Sequence, residues 1–345
     1  MHEDVERRLT DLGAVPADVE RAEREGWVPL LALDRLLMPG TARFDINALA
    51  EASGFDLAFT RQLWRAVGFP DVPAEVALFT DRDVEAARLL HVHATMRGID
   101  DRVLLQQVRV ISSSLARVAA VEADAFAAFV ESLRESGASD DDIALSVFSD
   151  TRFANVAVLI DYVHRLQLRA AVWRRLAFDT SPDLTIGVGF ADISGYTRLA
   201  GGLDSAALSE LLSRWESVAY DTTAARGTRI VKTIGDEVMF VGLPGETVLS
   251  AIALRDAAAT DGLPPLRIGA AAGLVIPRDG DYYGPVVNLA SRLTDIAEPG
   301  EVLVPADLVA ELDAAALPGV QFEPLGARSL RGIGEVEVYS VDPEP

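Results

Sequence analysis

Apolar side chains recur every three or four positions through the first part of the chain, the spacing that gathers them on one face of an α-helix. VPLLALDRLL, VEAARLLHVHATM, DRVLLQQVRVISSSLARVAAV and DAFAAFVESL all carry this pattern. The breaks at Pro39-Gly40, Gly68-Phe69-Pro70 and Gly137-Ala138-Ser139-Asp140 are made of residues that end helices or form turns. Residues 1–150 therefore read as an all-helical domain. A longer helical pattern, FANVAVLIDYVHRLQLRAAVWRRLAF, follows and ends in basic residues. It meets a stop at Asp179-Thr180-Ser181-Pro182, which predicts a linking helix over 151–180.

Beyond Pro182 the rhythm changes. LTIGVGFADIS, PLRIGAAAGLVI, EVLVP and VEVYSV read as strands, and TRIVKTIGDEVMFVG as a hairpin. SAALSELLSRWESVAYDTTAA, TVLSAIALRDAA and PVVNLASRLTDIA read as helices. The expectation is an α+β domain over 181–345, with no internal repeat.

Composition narrows what such a chain can do. With 345 residues, half of them hydrophobic, it can bury two cores without cross-links. It has no cysteine, which excludes disulfides, thiolate metal sites and cysteine nucleophiles and suits a reducing cytoplasm. The charged start MHEDVERRLTDLGAVP does not read as a secretion signal, and no run has the length and apolarity of a membrane span, so a soluble protein is expected. Net charge is −22, divided as 20 basic against 28 acidic residues through Phe178 and 11 against 25 after it. Such an exterior repels nucleic acid and anionic membranes, so an anionic ligand needs local cations or metal ions. Of the 31 basic residues only Lys232 is lysine. Chance would give this, and so would a site that wants a compact ammonium rather than a planar guanidinium.

Asp192 ends an apolar strand, and Asp236 lies in Ile234-Gly235-Asp236-Glu237, where Gly-Asp suits a two-residue hairpin turn with glycine first. Taken singly, each aspartate reads as a turn residue. If the two strands are neighbours, both carboxylates emerge at one edge, where they could hold Mg2+ ions roughly 3.5–4 Å apart. Pro285 suits the first position of a helix, which sets Asn288 and Arg292 four residues apart on one face, with Leu289, Leu293 and Ile296 buried. An amide beside a guanidinium can stabilise charge on a phosphoryl group in transit. A lysine such as Lys232 can donate to a purine ring nitrogen, and a carboxylate such as Asp281 can accept from an exocyclic amine. Adenine carries both features.

Three segments, FADISGYTRL, VKTIGDEVMF and DYYGPVVNLASRL, together resemble the class III nucleotidyl cyclases in order and spacing, over residues 184 to 342. The resemblance implies a ferredoxin-like core that pairs head to tail in a homodimer. It also implies conversion of ATP to cyclic AMP and pyrophosphate with two divalent cations, Mg2+ or Mn2+. It makes Asp192, Asp236 and the backbone carbonyl of Ile193 the metal ligands, and Lys232 and Asp281 the adenine readers. Asn288 would orient the ribose, and Arg292 would stabilise the transition state. Arg331 falls where the family often has a lysine touching the terminal phosphates. Guanylyl cyclases of the family differ at the two base-reading positions, so the Lys/Asp pair implies ATP. Metal ligands come from one subunit and the remaining groups from the other, so a monomer is expected to be inactive.

In the helical half, INALAEASGFDLAFTRQLWRAVGFPD followed by FTDRDVEAARLL resembles a helix-turn-helix of MerR-like regulators. That segment has no basic excess, which argues against DNA. The layout as a whole is similar to actinobacterial cyclases whose N-terminal domain restrains catalysis and answers to acidity or fatty acids. It implies autoregulation through residues 1–150, with a small molecule or lipid as candidate regulator and the linking helix as the moving part. Of the histidines, His2, His91, His93 and His164, the last lies on the linking helix and is the first candidate for a pH response. Two other classes stay open: a catalytically silent nucleotide-binding module, and a DNA-binding regulator with a cyclase-derived sensor.

Overall fold

The computed structural model describes residues 1–150, 152–180, 185–312 and 317–344. Ser181, Pro182 and Leu184, which belong to the predicted helix stop and first strand, lie outside the described residues. The chain divides into two compact units, Met1–Arg169 and Ala170–Pro345.

Among its described residues the first unit has helices as its regular elements, joined by turns and loops, and an isolated bridge between Phe44 and Phe79. In chain order its helices are α1 (Glu3–Asp11), α2 (Pro16–Glu25), α3 (Val28–Leu37), α4 (Ile46–Ser53), α5 (Leu57–Val67), α6 (Asp81–Arg97), α7 (Asp101–Glu135) and α8 (Asp140–Ser149), and α9 (Arg152–Thr180) continues into the second unit. The segment resembling a helix-turn-helix is α4, a short turn, and α5. Gly54 ends α4 in the left-handed region at φ +87°, and the Asp56 side chain starts α5 by accepting from the Phe59 amide at 2.9 Å. Val5, Leu9, Val19, Leu31 and Val147 form one core, joining α1, α2, α3 and α8. Phe59, Leu63, Leu104 and Leu105 join α5 to α7 in another. Two apolar patterns in the sequence turn out to be one helix: α7 runs unbroken for 35 residues, because nothing between Val121 and Asp124 ends a helix.

The second unit is built on one large sheet. Its elements are β1 (Ile186–Ile193), α10 (Tyr196–Ala200), α11 (Ser205–Ala225), β2 (Arg229–Ile234), β3 (Glu237–Gly242), α12 (Pro244–Thr260), β4 (Leu266–Gly273), β5 (Ile276–Arg278), β6 (Asp281–Tyr283), α13 (Pro285–Ile296), β7 (Val302–Pro305), α14 (Ala306–Glu311), β8 (Val320–Leu330) and β9 (Gly334–Pro343). The strand order is β2-β3-β1-β4-β7-β9-β8, and β5 and β6 form a separate two-stranded ribbon. The first four strands, antiparallel to their neighbours and split by α11 and α12, are the ferredoxin-like core. Alternation along β1 assigns the two faces. Ala191 and Ile193 pack with Trp215 and Val248 of α11 and α12, while Val188 and Phe190 pack with Val286 and Ala290 of α13.

The predicted strand 265–276 stops at Gly273, and the chain leaves the sheet to form the ribbon. Strand β8, which pairs with β9, and the short helix α14 carry no strong pattern in the sequence. Among the described residues no single helix is long and apolar enough to cross a membrane.

Candidate active site

Strand β1 lies between β3 and β4, and this places the two candidate metal ligands together. Asp192 is near the end of β1, and the turn joining β2 to β3 holds Asp236. Gly235 takes the left-handed φ of +64° that the first turn position requires, and Asp236 keeps an ordinary one. The turn is held from beneath: the fully buried Trp215 donates its indole N–H to the Asp236 carbonyl at 2.8 Å. The Asp192 carboxyl hydrogen-bonds that of Asp236, and its pKa is pushed up to about 7. Burial is the largest cause, followed by the hydrogen bond to Asp236 and that residue's charge. The neighbouring Glu237 carboxyl is also raised, by burial first and then by the charges of Asp192 and Asp295.

Such a pair is a donor set short of positive charge. A carboxyl that keeps its proton towards neutrality because it is buried and another carboxyl faces it would release that proton to a bound cation. The two aspartates therefore fit divalent cations, and Ile193, the next residue of β1, could add its carbonyl. Among the described residues no three acidic or histidine side chains converge as a self-sufficient metal site, so water or substrate oxygens must complete any shell.

Two residues missed in the sequence belong here. Arg267 of β4 stands opposite Asp192 in the ladder, its charge opposes the rise in the Asp192 pKa, and its buried Nε has no hydrogen-bond partner. Trp215 is the other. A buried indole needs an acceptor, which is a signal, but neither partner can be named before the strand order is known.

The base-reading candidates are also brought together. Lys232 of β2 and Asp281 of β6 meet at 2.5 Å, and the second Asp281 oxygen accepts from the Tyr282 amide at 2.7 Å. Helix α13 presents Asn288, which is exposed, and Arg292, which pairs with Asp295 at 2.5 Å. Gly269 on β4 lets this helix close in, because a Cβ there would stand 2.4 Å from the Thr294 nitrogen. The buried face of α13 is Val286, Ala290, Leu293 and Thr294. Ile296, expected on that face, is exposed, since the helix ends there and Ala297 takes the buried position. Arg331 lies exposed in the turn from β8 to β9.

The first unit has a cavity of about 260 Å³ lined by Leu49, Phe55, Leu63, Trp64, Phe79 and Leu90 among others. Its hydroxyls on Ser53 and Thr60 are spent on backbone carbonyls and Asp83 accepts from Thr80, which leaves a mostly apolar lining. His164 is exposed on α9, whereas His91 stacks edge-on against Phe55.

Known proteins agree with both halves. Residues 7–172 match the family described as the adenylate cyclase regulatory domain. An adenylate cyclase of Streptomyces coelicolor is 30% identical over 338 residues, which cover 90% of this chain and 88% of that one. A pH-sensitive adenylate cyclase of Mycobacterium tuberculosis is 32% identical over 367 residues, covering 96% and 90%. The crystal structure of an adenylyl cyclase from P. aeruginosa aligns with 47% of this chain and 95% of its own, at 25% identity and a TM-score of 0.41. The chain belongs to the actinobacterial class III adenylyl cyclases, and its catalytic unit follows a regulatory domain.

Proposed function

We propose that this cyclase works at a site shared by two identical subunits, with Asp192 and Asp236 supplied by one and Lys232, Asp281, Asn288 and Arg292 by the other. The observation that carries the proposal is the facing pair Asp192 and Asp236, poor in positive charge, in a chain that also brings Lys232 and Asp281 into contact. The two aspartates and the Ile193 carbonyl would hold two divalent cations, Mg2+ or Mn2+, which when bound offset triphosphate charge and make the ribose 3′-hydroxyl more acidic. Lys232 donates to a ring nitrogen of adenine, and Asp281 accepts from its amino group. Asn288 orients the ribose. The 3′-hydroxyl gives up its proton to Asp192 or to water, its oxygen attacks the α-phosphorus in line, a new P–O bond forms, and the bond to pyrophosphate breaks. Arg292 stabilises the charge that develops on that phosphoryl group. Arg331, and with it Arg267, would meet the outer phosphates.

A second copy also suits the linking helix. Leu159, Leu166 and Trp173 recur every seven residues on α9, Tyr162 and Leu176 lie on the same stripe, and all five are exposed in the single chain. The first unit would act on catalysis through this helix. Its apolar cavity is where a small apolar molecule or lipid would enter, and His164 is the group through which acidity could act.

The test is to incubate purified protein with ATP and Mn2+ or Mg2+ and to measure cyclic AMP and pyrophosphate. Mixing inactive Asp192→Ala subunits with inactive Arg292→Ala subunits should restore part of the activity; no recovery would sink the shared site. An unchanged pH profile in His164→Ala would remove that histidine from the scheme.

A further inference from the structure

We propose that Arg229 and Tyr282 are positioning residues whose contact sets the spacing of the Lys232–Asp281 pair and so the preference for adenine over guanine. The inference rests on the reading of Lys232 and Asp281 as base readers. These two sit on different sheets. Lys232 is on β2, the edge strand of the seven-stranded sheet, and Asp281 is on β6, in the separate ribbon. Among the described residues no backbone ladder joins β2 to β6, so side chains must hold them in register.

Two side-chain rungs do so. One is the Lys232–Asp281 pair itself, at 2.5 Å. In the other, Arg229 donates from Nη2 to the Tyr282 hydroxyl at 2.9 Å and lies 5.4 Å from the ring centroid. Residues three apart on a regular strand point to opposite faces. The register shift between Ile230 and Lys232 breaks that alternation, which allows Arg229 and Lys232 to reach the ribbon together.

The first rung cannot serve as the ruler, because a bound base must draw on Lys232 and Asp281 and so loosen or share their contact. The second rung is free of that demand. Tyr282 is 6% exposed and packs with Met239 and Val286, so its ring is anchored under β3 and α13. Its amide also fixes one Asp281 oxygen. Arg229 makes no ion pair among the described residues, and in a chain with 53 acidic side chains its commitment to a neutral hydroxyl marks a geometric role.

The experiment uses the full chain with Tyr282→Phe, Arg229→Gln and Arg229→Lys, and takes GTP both as substrate and as competitor. Tyr282→Phe keeps the buried ring and removes only the hydroxyl. In Tyr282→Phe and Arg229→Gln the KM for ATP should rise on the order of three- to tenfold with kcat within about twofold, the loss expected for one hydrogen bond. The preference for ATP over GTP should narrow by a similar factor, and Arg229→Lys should recover part of it. Unchanged KM and preference in both variants would overturn the proposal. So would an equal loss on ATP and GTP, which is what a merely structural contact would give. Asp281→Ala separates the two levels: if it leaves the preference intact, the base-reading assignment fails, whereas if it alone narrows the preference, only the positioning role fails.

Discussion

Two carboxylates within one domain are treated in opposite ways. Asp281 has an ammonium at 2.5 Å and a backbone amide on its other oxygen, so both of its oxygens have donors. Asp192 faces another carboxyl, and burial and that neighbour push its pKa up to about 7. The first arrangement suits a neutral ligand read by hydrogen bonds; the second suits positive charge brought from outside. Removing a side chain should therefore have opposite effects on stability at the two places. Asp236→Ala should lower cyclic AMP formation by at least about a thousandfold, the scale of losing a group that organises charge in the transition state. In chelated protein near pH 7 the same variant should melt at or above the parent temperature, because it relieves repulsion within the pair. A lower melting temperature would mean that the pair is structural.

Asp281→Ala is the counterpart. It strands the half-buried ammonium of Lys232, and should cost stability of about 1 kcal/mol and narrow the ATP-over-GTP preference on the order of tenfold or more. Thermal unfolding and kinetics with the two nucleotides check both parts. Equal melting behaviour in Asp236→Ala and Asp281→Ala would erase the contrast.

The two regions were unequally legible in the sequence. In the catalytic unit the helix and strand periods located β1, α11, the β2–β3 hairpin and α13, and the glycine at 235 announced its own turn. The segment resemblance then supplied roles that no single period could. What stayed hidden depended on pairing between distant strands. That Asp192 meets Arg267, or that Trp215 reaches the Asp236 carbonyl, follows only once β4 is beside β1 and α11 lies under the hairpin. The ribbon was unreadable for a related reason, since β5 and β6 have three residues each and no apolar alternation. In the regulatory half the helices were plain, but the apolar cavity was not. Its walls come from α4, α5 and α6 together, and each lining residue looks like ordinary core on its own helix.

The contrast also has a pH signature. In the folded chain the Asp192 carboxyl keeps its proton up to about 7, whereas its ordinary value is 3.8. Between those values the native state binds more protons than the unfolded one. The contribution of Asp192 to stability is thus fully present below about pH 4 and is lost as pH rises towards 7. Without divalent cations, the melting temperature of the parent should fall relative to that of Asp192→Asn across this window. Adding Mn2+ at pH 7 should raise the parent and leave the variant nearly unmoved. Parallel curves for parent and variant would show that Asp192 titrates normally.

The smallest effect is expected at Asp295, which has a cationic partner as Asp281 does but whose charge acts on Asp192. It pairs with Arg292 at 2.5 Å across three residues of α13, and its charge adds to the forces that raise Asp192 and Glu237. The pair is largely exposed, so its loss in Asp295→Asn should change stability by no more than about 0.5 kcal/mol. The substitution keeps the shape of the side chain and removes one negative charge near the aspartates. The pH window of the chelated protein should therefore shift slightly downward while its melting temperature at pH 5 hardly moves. Activity should stay within a few-fold of the parent, because in the proposed mechanism Arg292 leaves this partner to meet a phosphoryl group. A stability loss well above 1 kcal/mol would instead make Asp295 a structural anchor of α13, and the charge at the aspartate pair would then have to be explained by Asp192, Asp236 and Glu237 alone.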